Sequence, residues 1–339
     1  MKWDFENIII DDGSEVLAQA PVIISASRST DIPTFYADWF VERWKAGYVK
    51  WKNPFNGVPL YVSFKKTRAV VFWTKNPKPI FKHLNYLDEN IKNYYFQFSL
   101  NDYDKERFEE KVPNVQTRID TFMELSNRIG KDRVVWRFDP LLMTEDIDVD
   151  ELLKRVERIG NQLYQHTNKL VFSFADISIY KKVESNLKKA NINYNEFDSK
   201  SMEQFALGLK RLNEKWGLQL ATCAEKFDLK KYGINHNKCI DDDLLIKLFS
   251  NDRDFMEFLG VKFVSPTIFE PTQTILKTRK IEDKGQRDAC GCIMSKDIGE
   301  YNTCPHGCVY CYANTSKEIA LANYKAHQLS PKSESITRK

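Results

Sequence analysis

The chain has 339 residues, of which 42% are apolar and 29% charged, with a formal net charge of +4. That is ordinary for a soluble globular protein, and the length admits one large α/β domain or two smaller ones. No stretch approaches the roughly 18–20 apolar residues of a bilayer-spanning helix. The amino-terminal MKWDFENIIIDDGSEV carries acidic residues on both sides of its apolar run, unlike a secretory signal. A cytoplasmic protein without membrane contact is expected. The small positive excess is compatible with nucleic acid but does not select it.

In chain order, strand-like runs occur at 21–27 (PVIISAS), 69–75 (AVVFWTK), 94–100 (YYFQFSL), 133–139 (RVVWRFD), 169–176 (KLVFSFAD) and 218–225 (LQLATCAE). Each is nearly continuous in apolarity, as a sheet covered on both faces requires. Helical stripes lie between them, at 34–46, 117–129, 149–163 and 202–216, the second closing on Gly130. Strand followed by helix, at least five times, predicts an α/β protein with a parallel sheet of βα units, open or closed into a (β/α) barrel. Residues 1–225 are assigned to it. The rhythm changes over 226–289, read as an inserted or auxiliary region with one short helix, an excursion near 255–270 and an exposed polar stretch from 277. A cysteine-rich segment and closing helix follow at 290–328, with Thr315 and Glu318 as a capping box. Residues 329–339 read as a disordered tail.

In βα architectures functional groups gather at the C-terminal ends of the strands. Those ends supply Ser25, Ser27, Arg28 and Asp31, then Thr74, Lys75 and Asn76, then Gln97, Ser99 and Asn101. Arg137 and Asp139, Ser173 and Asp176, and Thr222, Cys223 and Glu225 complete the set. They predict one polar pocket, against the simpler reading that polar residues mark where strands stop. No phosphate-cradling GxGxxG and no His-based triad are present.

The seven cysteines are an odd count, which suits metal ligation better than pairing in a reducing compartment. Cys304, Cys308 and Cys311 stand in NTCPHGCVYCYANTS, a C-x3-C-x2-C pattern with Tyr310 before the last thiol. Three thiolates so spaced can hold three corners of a cubane iron–sulfur cluster and leave the fourth iron open. A zinc knuckle would need a fourth ligand, and His306 lies too tightly inside the motif to be an easy one. Cys223, Cys239, Cys290 and Cys292 remain. Four is the complement of a closed site, a second [4Fe-4S] cluster or a zinc, unless Cys223 is a buried core thiol and Cys239 a bystander.

The C-x3-C-x-aromatic-C segment resembles the cluster motif of the radical S-adenosylmethionine superfamily. The chain also resembles, nearly end to end, the bacterial family known as the domain of unknown function DUF1848. That likeness rests on SASRSTDIPTFY (25–36), FWTKNPKP (72–79), WRFDPLL (136–142), TCAEKFDLKKYGINHNKCID (222–241) and CGCIMSKDIGEYNTCPHGCVYCYAN (290–314). A more distant likeness is to spore photoproduct lyase and its relatives, through Cys304–Tyr312, Thr30-Asp31-Ile32-Pro33 and Thr74-Lys75.

These resemblances imply a [4Fe-4S] cluster on Cys304, Cys308 and Cys311, S-adenosylmethionine on its open iron, and a reductant such as flavodoxin or ferredoxin. They imply nucleic acid as a substrate class. Because the cysteine loop comes last in the chain, they also imply a circular permutation, with the strand near 293–298 and the helix 316–328 beside the strand 21–27. Ser27, Arg28, Asp31, Ser99, Asp139, Tyr310 and Asn314 are then expected at the cofactor. Lys75, Arg137, Asp176 and Glu225 are expected to face the substrate, with structural salt bridges the alternative use of the same charges. The competing class is a non-catalytic iron–sulfur or zinc protein that binds nucleic acid or a partner.

Overall fold

Eight strands form one sheet in which every neighbouring pair is parallel. In spatial order they are Lys296–Asp297, Ile23–Ala26, Ala69–Thr74, Tyr94–Ser99, Val134–Leu141, Lys169–Phe174, Gln219–Thr222 and Ile234–His236. The last strand of the chain thus lies beside the first of the sheet, with Asp297 in register with Ser25. The computed structural model describes residues 3–54, 56–264, 274–278, 281–283 and 290–337. It is a mixed α/β fold, and the sheet is compatible with a barrel-like arrangement.

Period-two alternation along the strands separates two apolar layers. Ile24, Val70, Phe72, Phe96, Phe98, Trp136 and Phe172 share a core with the helices Ala37–Ala46, Val115–Ile129, Val149–Leu163 and Ser199–Trp216. Burying each such side chain contributes about 1.5–3 kcal/mol. The helix Val149–Leu163 shows why these segments are helical. The Asp148 side chain accepts the Glu151 N–H at 2.8 Å, and Leu152, Val156, Ile159 and Leu163 form the buried stripe.

The other face carries Ile23, Val71, Tyr95, Val135 and Val171. Against it pack Cys239, Ile240, Leu245, Phe249, Phe255 and Met256. Much of the region read as an insertion therefore covers this face, and it also supplies the strand Ile234–His236. Toward the C-terminal ends of the same strands this face carries Ser25, Trp73, Gln97, Arg137, Ser173 and Cys223. The excursion near 255–270 and the stretch from 277 fall largely outside the described residues.

Several expectations change. A separate four-stranded sheet, in the order Asp4–Ile9, Glu15–Ala20, Pro59–Ser63, Tyr48–Lys52, lies within the region assigned wholly to the barrel. Much of its strands is exposed or half-buried. The helix expected over 34–46 is two, Ile32–Phe35 and Ala37–Ala46. The final helix, Lys317–Gln328, is capped by Ser316 and not Thr315, with Ser316 Oγ accepting the Ile319 N–H at 3.2 Å.

The tail is not disordered as far as Thr337. Trp39 Nε1 donates to Ser333 O at 2.8 Å, Lys50 N donates to Glu334 O at 2.8 Å, and Ile336 is buried. Its polar composition concealed one anchoring isoleucine and a set of backbone partners. Among the described residues no helix is long and apolar enough to cross a membrane.

Candidate metal centre

The cysteine loop leaves the sheet directly after Asp297, whose carboxylate gathers the neighbouring strand end. It accepts Ser27 Oγ at 2.6 Å, Ser25 Oγ at 3.0 Å, Arg28 N at 2.8 Å and Gly299 N at 2.9 Å. Gly299 is required here, since a Cβ at that position would lie 1.9 Å from Ser27 Oγ. Gly307, at φ +74°, turns the chain between Cys304 and Cys308 in a conformation that favours glycine. Tyr36 OH donates to Thr303 O at 2.6 Å, Asn314 Nδ2 to Cys304 O at 2.7 Å and Asn186 Nδ2 to Cys311 O at 3.2 Å. The loop also pairs with residues 108–111, through Val309 N to Phe108 O at 2.9 Å and Lys111 N to His306 O at 2.9 Å.

That pairing brings in Glu109, a residue that sequence reasoning missed. Its carboxylate takes Lys75 Nζ at 2.7 Å, Arg118 Nη1 at 3.0 Å, Asn101 Nδ2 at 3.2 Å and the Tyr310 hydroxyl. Burial alone would raise the Glu109 carboxyl, but Lys75 and Arg118 outweigh it and hold the group at about 2. Burial opposes the charge on Lys75 too, and Glu109 with Cys308 raises it above its ordinary value nonetheless. Lys75 therefore sits in a buried ion pair against the cysteine loop, 3.1 Å from Tyr310 OH. No local signal marks Glu109 or Arg118, which lie far from the loop in the chain. Asp297 could have been found by the same strand-end rule that found Asp31.

The other expected cofactor groups fall into two classes. Asp31 accepts Lys75 N at 2.7 Å and Thr34 N at 3.0 Å and bonds His306 Nε2 at 2.8 Å, so both oxygens position the loops. Ser27 is likewise committed to Asp297. Arg28 is different. Its guanidinium lies 5.4 Å from the Trp73 ring, and its Nη2 has no hydrogen-bond partner. Ser99 stands in register with Arg137, and Arg137 forms an ion pair with Asp139, which also takes Ser173 Oγ. Asn314 Oδ1 and His306 Nδ1 are buried without partners. Of the expected substrate-facing groups, Glu225 accepts the Phe227 N–H at 2.9 Å and closes its own loop, and Asp176 is half-buried beyond the strand Lys169–Phe174.

The seven cysteines are free thiols in two sets. In the loop set, burial pushes Cys304 up to about 12 and raises Cys308 and Cys311 above the ordinary thiol value. Backbone N–H groups of His306 and Asp31 point at Cys304, and those of Asn314 and Ala313 at Cys311. The N–H donors offset part of that burial and favour the thiolate form that a soft cation binds. In the second set Cys223 Sγ lies 3.3 Å from Cys239 Sγ. The Cys239 thiol is lowered well below its ordinary value by hydrogen bonds from Cys223 and Cys292 and by the nearby Arg137 and Arg28.

Among the described residues, the one group of three or more candidate ligand atoms all within 4.8 Å of one another is Asp241, Asp242 and Asp243. Asp241 and Asp242 are already paired with Lys169, Lys238 and Lys277. Among the described residues no three sulfurs of either cysteine set lie all within 4.8 Å of one another.

The family model described as Domain of unknown function (DUF1848) matches residues 23–313. The chain belongs to the DUF1848 family. The match runs from the first strand of the parallel sheet through the cysteine loop, so both cysteine sets of this DUF1848 chain lie inside it. No curated protein matches the chain. Among solved structures, a putative alpha-L-fucosidase from Bacteroides thetaiotaomicron is 13% identical, with 57% of this chain and 85% of that chain covered at a TM-score of 0.25.

Proposed function

We propose that this protein is a radical S-adenosylmethionine enzyme whose [4Fe-4S] cluster is held by Cys304, Cys308 and Cys311. The observation that carries the reading is the setting of these thiols. They occupy one loop at the C-terminal end of a parallel strand, between Lys296–Asp297 and the helix Lys317–Gln328, which is where βα proteins assemble their chemistry. When bound, the cluster and S-adenosylmethionine supply one-electron cleavage of the sulfonium to give a 5′-deoxyadenosyl radical.

The protein's own part is positional. The pair Lys75–Glu109, backed by Arg118 and Asn101, fixes Tyr310 between Cys308 and Cys311 and balances charge in a site with little water. Asp31 and Asp297 set the loop against the first strand. Arg28 keeps an unused N–H at the strand end beside the loop, where the resemblance expects the cofactor.

Strand order supports a permuted barrel of radical S-adenosylmethionine type. Read from Lys296–Asp297 through Ile23–Ala26 to Ile234–His236, the strands run in one direction in sequential order once the chain end is joined to its start. The last helix lies against the first ones, with Tyr324 5.3 Å from Phe35 and His327 4.8 Å from Tyr36 between ring centroids. Nucleic acid is the substrate class implied by the lyase-like elements.

Anaerobic purification tests the reading. A brown protein absorbing near 400 nm that releases 5′-deoxyadenosine on reduction with S-adenosylmethionine is expected. A colourless protein with stoichiometric zinc in the loop would refute it.

A further inference from the structure

We propose that Cys223, Cys239, Cys290 and Cys292 are the four ligands of a second, closed [4Fe-4S] centre that bridges the seam of the parallel sheet. The sheet's two edge strands, Ile234–His236 and Lys296–Asp297, share no hydrogen-bonded ladder. Across this gap the segments just beyond and just before them meet, with Ile293 N donating to Ile240 O at 3.1 Å. Cys223 follows the strand Gln219–Thr222, Cys239 follows Ile234–His236, and Cys290 and Cys292 precede Lys296–Asp297. Three chain segments therefore deliver four thiols to one place.

Cys223 Sγ is 3.3 Å from Cys239 Sγ, the Cys239 backbone N–H donates to Cys292 Sγ at 3.2 Å, and Cys290 stands two residues before Cys292. Among the described residues no three of the four sulfurs lie mutually within 4.8 Å.

The surroundings are those of thiolates. Cys239 Sγ accepts Asn237 Nδ2 at 3.1 Å and Arg137 Nη1 at 3.3 Å. Cys292 Sγ accepts the backbone N–H groups of Cys239 at 3.2 Å and Ile240 at 3.5 Å. Four N–H donors aimed at two sulfurs are poorly spent on neutral thiols, which are weak acceptors, whereas N–H bonds to sulfur are the means by which proteins tune cluster ligands. Charge points the same way. Arg137 and Arg28 place their guanidiniums 5.1 Å and 5.4 Å from the Trp73 ring beside the thiols. Two buried guanidiniums near the sulfurs, that of Arg137 also paired with Asp139, suit a centre whose four thiolates outweigh the charge of its metal core.

This inference does not rest on the radical reading of the loop, and one measurement separates them. The full chain is purified anaerobically and reconstituted with iron and sulfide, alongside the triple variant Cys304→Ala/Cys308→Ala/Cys311→Ala. Iron, acid-labile sulfide and zinc are then counted per chain. With both centres the wild type holds about eight iron and the triple variant about four, with matching sulfide. If the loop holds no cluster, both proteins hold about four and this proposal stands alone. A triple variant without iron, with zinc in its place, or with a Cys223–Cys239 disulfide found by thiol mapping overturns it. Cys223→Ser/Cys290→Ser guards against a misfolded triple variant. It should lose about four iron while its far-ultraviolet circular dichroism is unchanged, and iron kept at the wild-type level overturns the proposal.

Discussion

Cys304, Cys308 and Cys311 come from one short loop, whereas Cys223, Cys239, Cys290 and Cys292 are gathered from three segments that meet only where the sheet edges approach. The loop thiols draw their N–H donors mostly from their own backbone, and their charged support, Lys75 with Glu109 and Arg118, forms a neutralised network beside them. The four-thiol set draws on the distant Arg137, on its near neighbour Asn237 and on the backbone N–H groups of Cys239 and Ile240. A local ligand set can be recognised before folding, and the fold then supplies polarity. A dispersed set exists only once the fold is closed, so its integrity should report on sheet closure.

Four substitutions sharpen or break that contrast. The largest effect is expected of Cys308→Ala, which should reduce 5′-deoxyadenosine release to background while about half the iron stays with the other set. Loss of all iron would mean the two sets are not independent. Next comes Glu109→Gln, which leaves Lys75 and Arg118 facing an uncharged partner and should cost about 3–5 kcal/mol in urea denaturation at neutral pH.

The pH dependence of that loss has a definite sign. The Glu109 carboxyl is depressed to about 2 in the folded protein, so its contribution is present above its ordinary value of 4.5 and disappears as pH falls toward 2. The gap between wild type and variant should close across that window. A gap that persists unchanged at pH 2 would rule out the ion pair as its source.

Gly299→Ala should cost about 1–3 kcal/mol, read as a lower melting temperature, because the added methyl meets Ser27 where Asp297 ties the loop to the sheet. An unaltered melting temperature would show that this junction yields. The smallest change is expected of Asn237→Ala, which removes one donor from Cys239 and should cost about 1 kcal/mol. Deoxyadenosine release should remain at the wild-type level, and a fall would couple the two sets.

The strand runs at 69–75 and 94–100 were legible because the strands Ala69–Thr74 and Tyr94–Ser99 are buried on both faces and so need continuous apolar side chains. The strands Asp4–Ile9 and Pro59–Ser63 were not, since much of each is exposed or half-buried. The tail misled for a related reason: Ile336 is a single anchor in a polar stretch, and the groups that bond its neighbours Ser333 and Glu334, Trp39 and Lys50, lie at the other end of the chain. At the site, the strand-end rule found Lys75, Arg137 and Asp31 but could not say which charges would cancel. Glu109 takes Lys75, Asp139 takes Arg137, and Arg28 is left with an unused donor.

From the sequence by itself came the family, the alternation of strands and helices, and the three thiols of the loop, because each is written in neighbouring residues whose spacing carries the chemistry. Only the tertiary structure decided that Cys223 and Cys239 meet Cys290 and Cys292 and that Glu109 lies against Tyr310. Those juxtapositions depend on how parallel strands order themselves in space, which residues distant in the chain determine together.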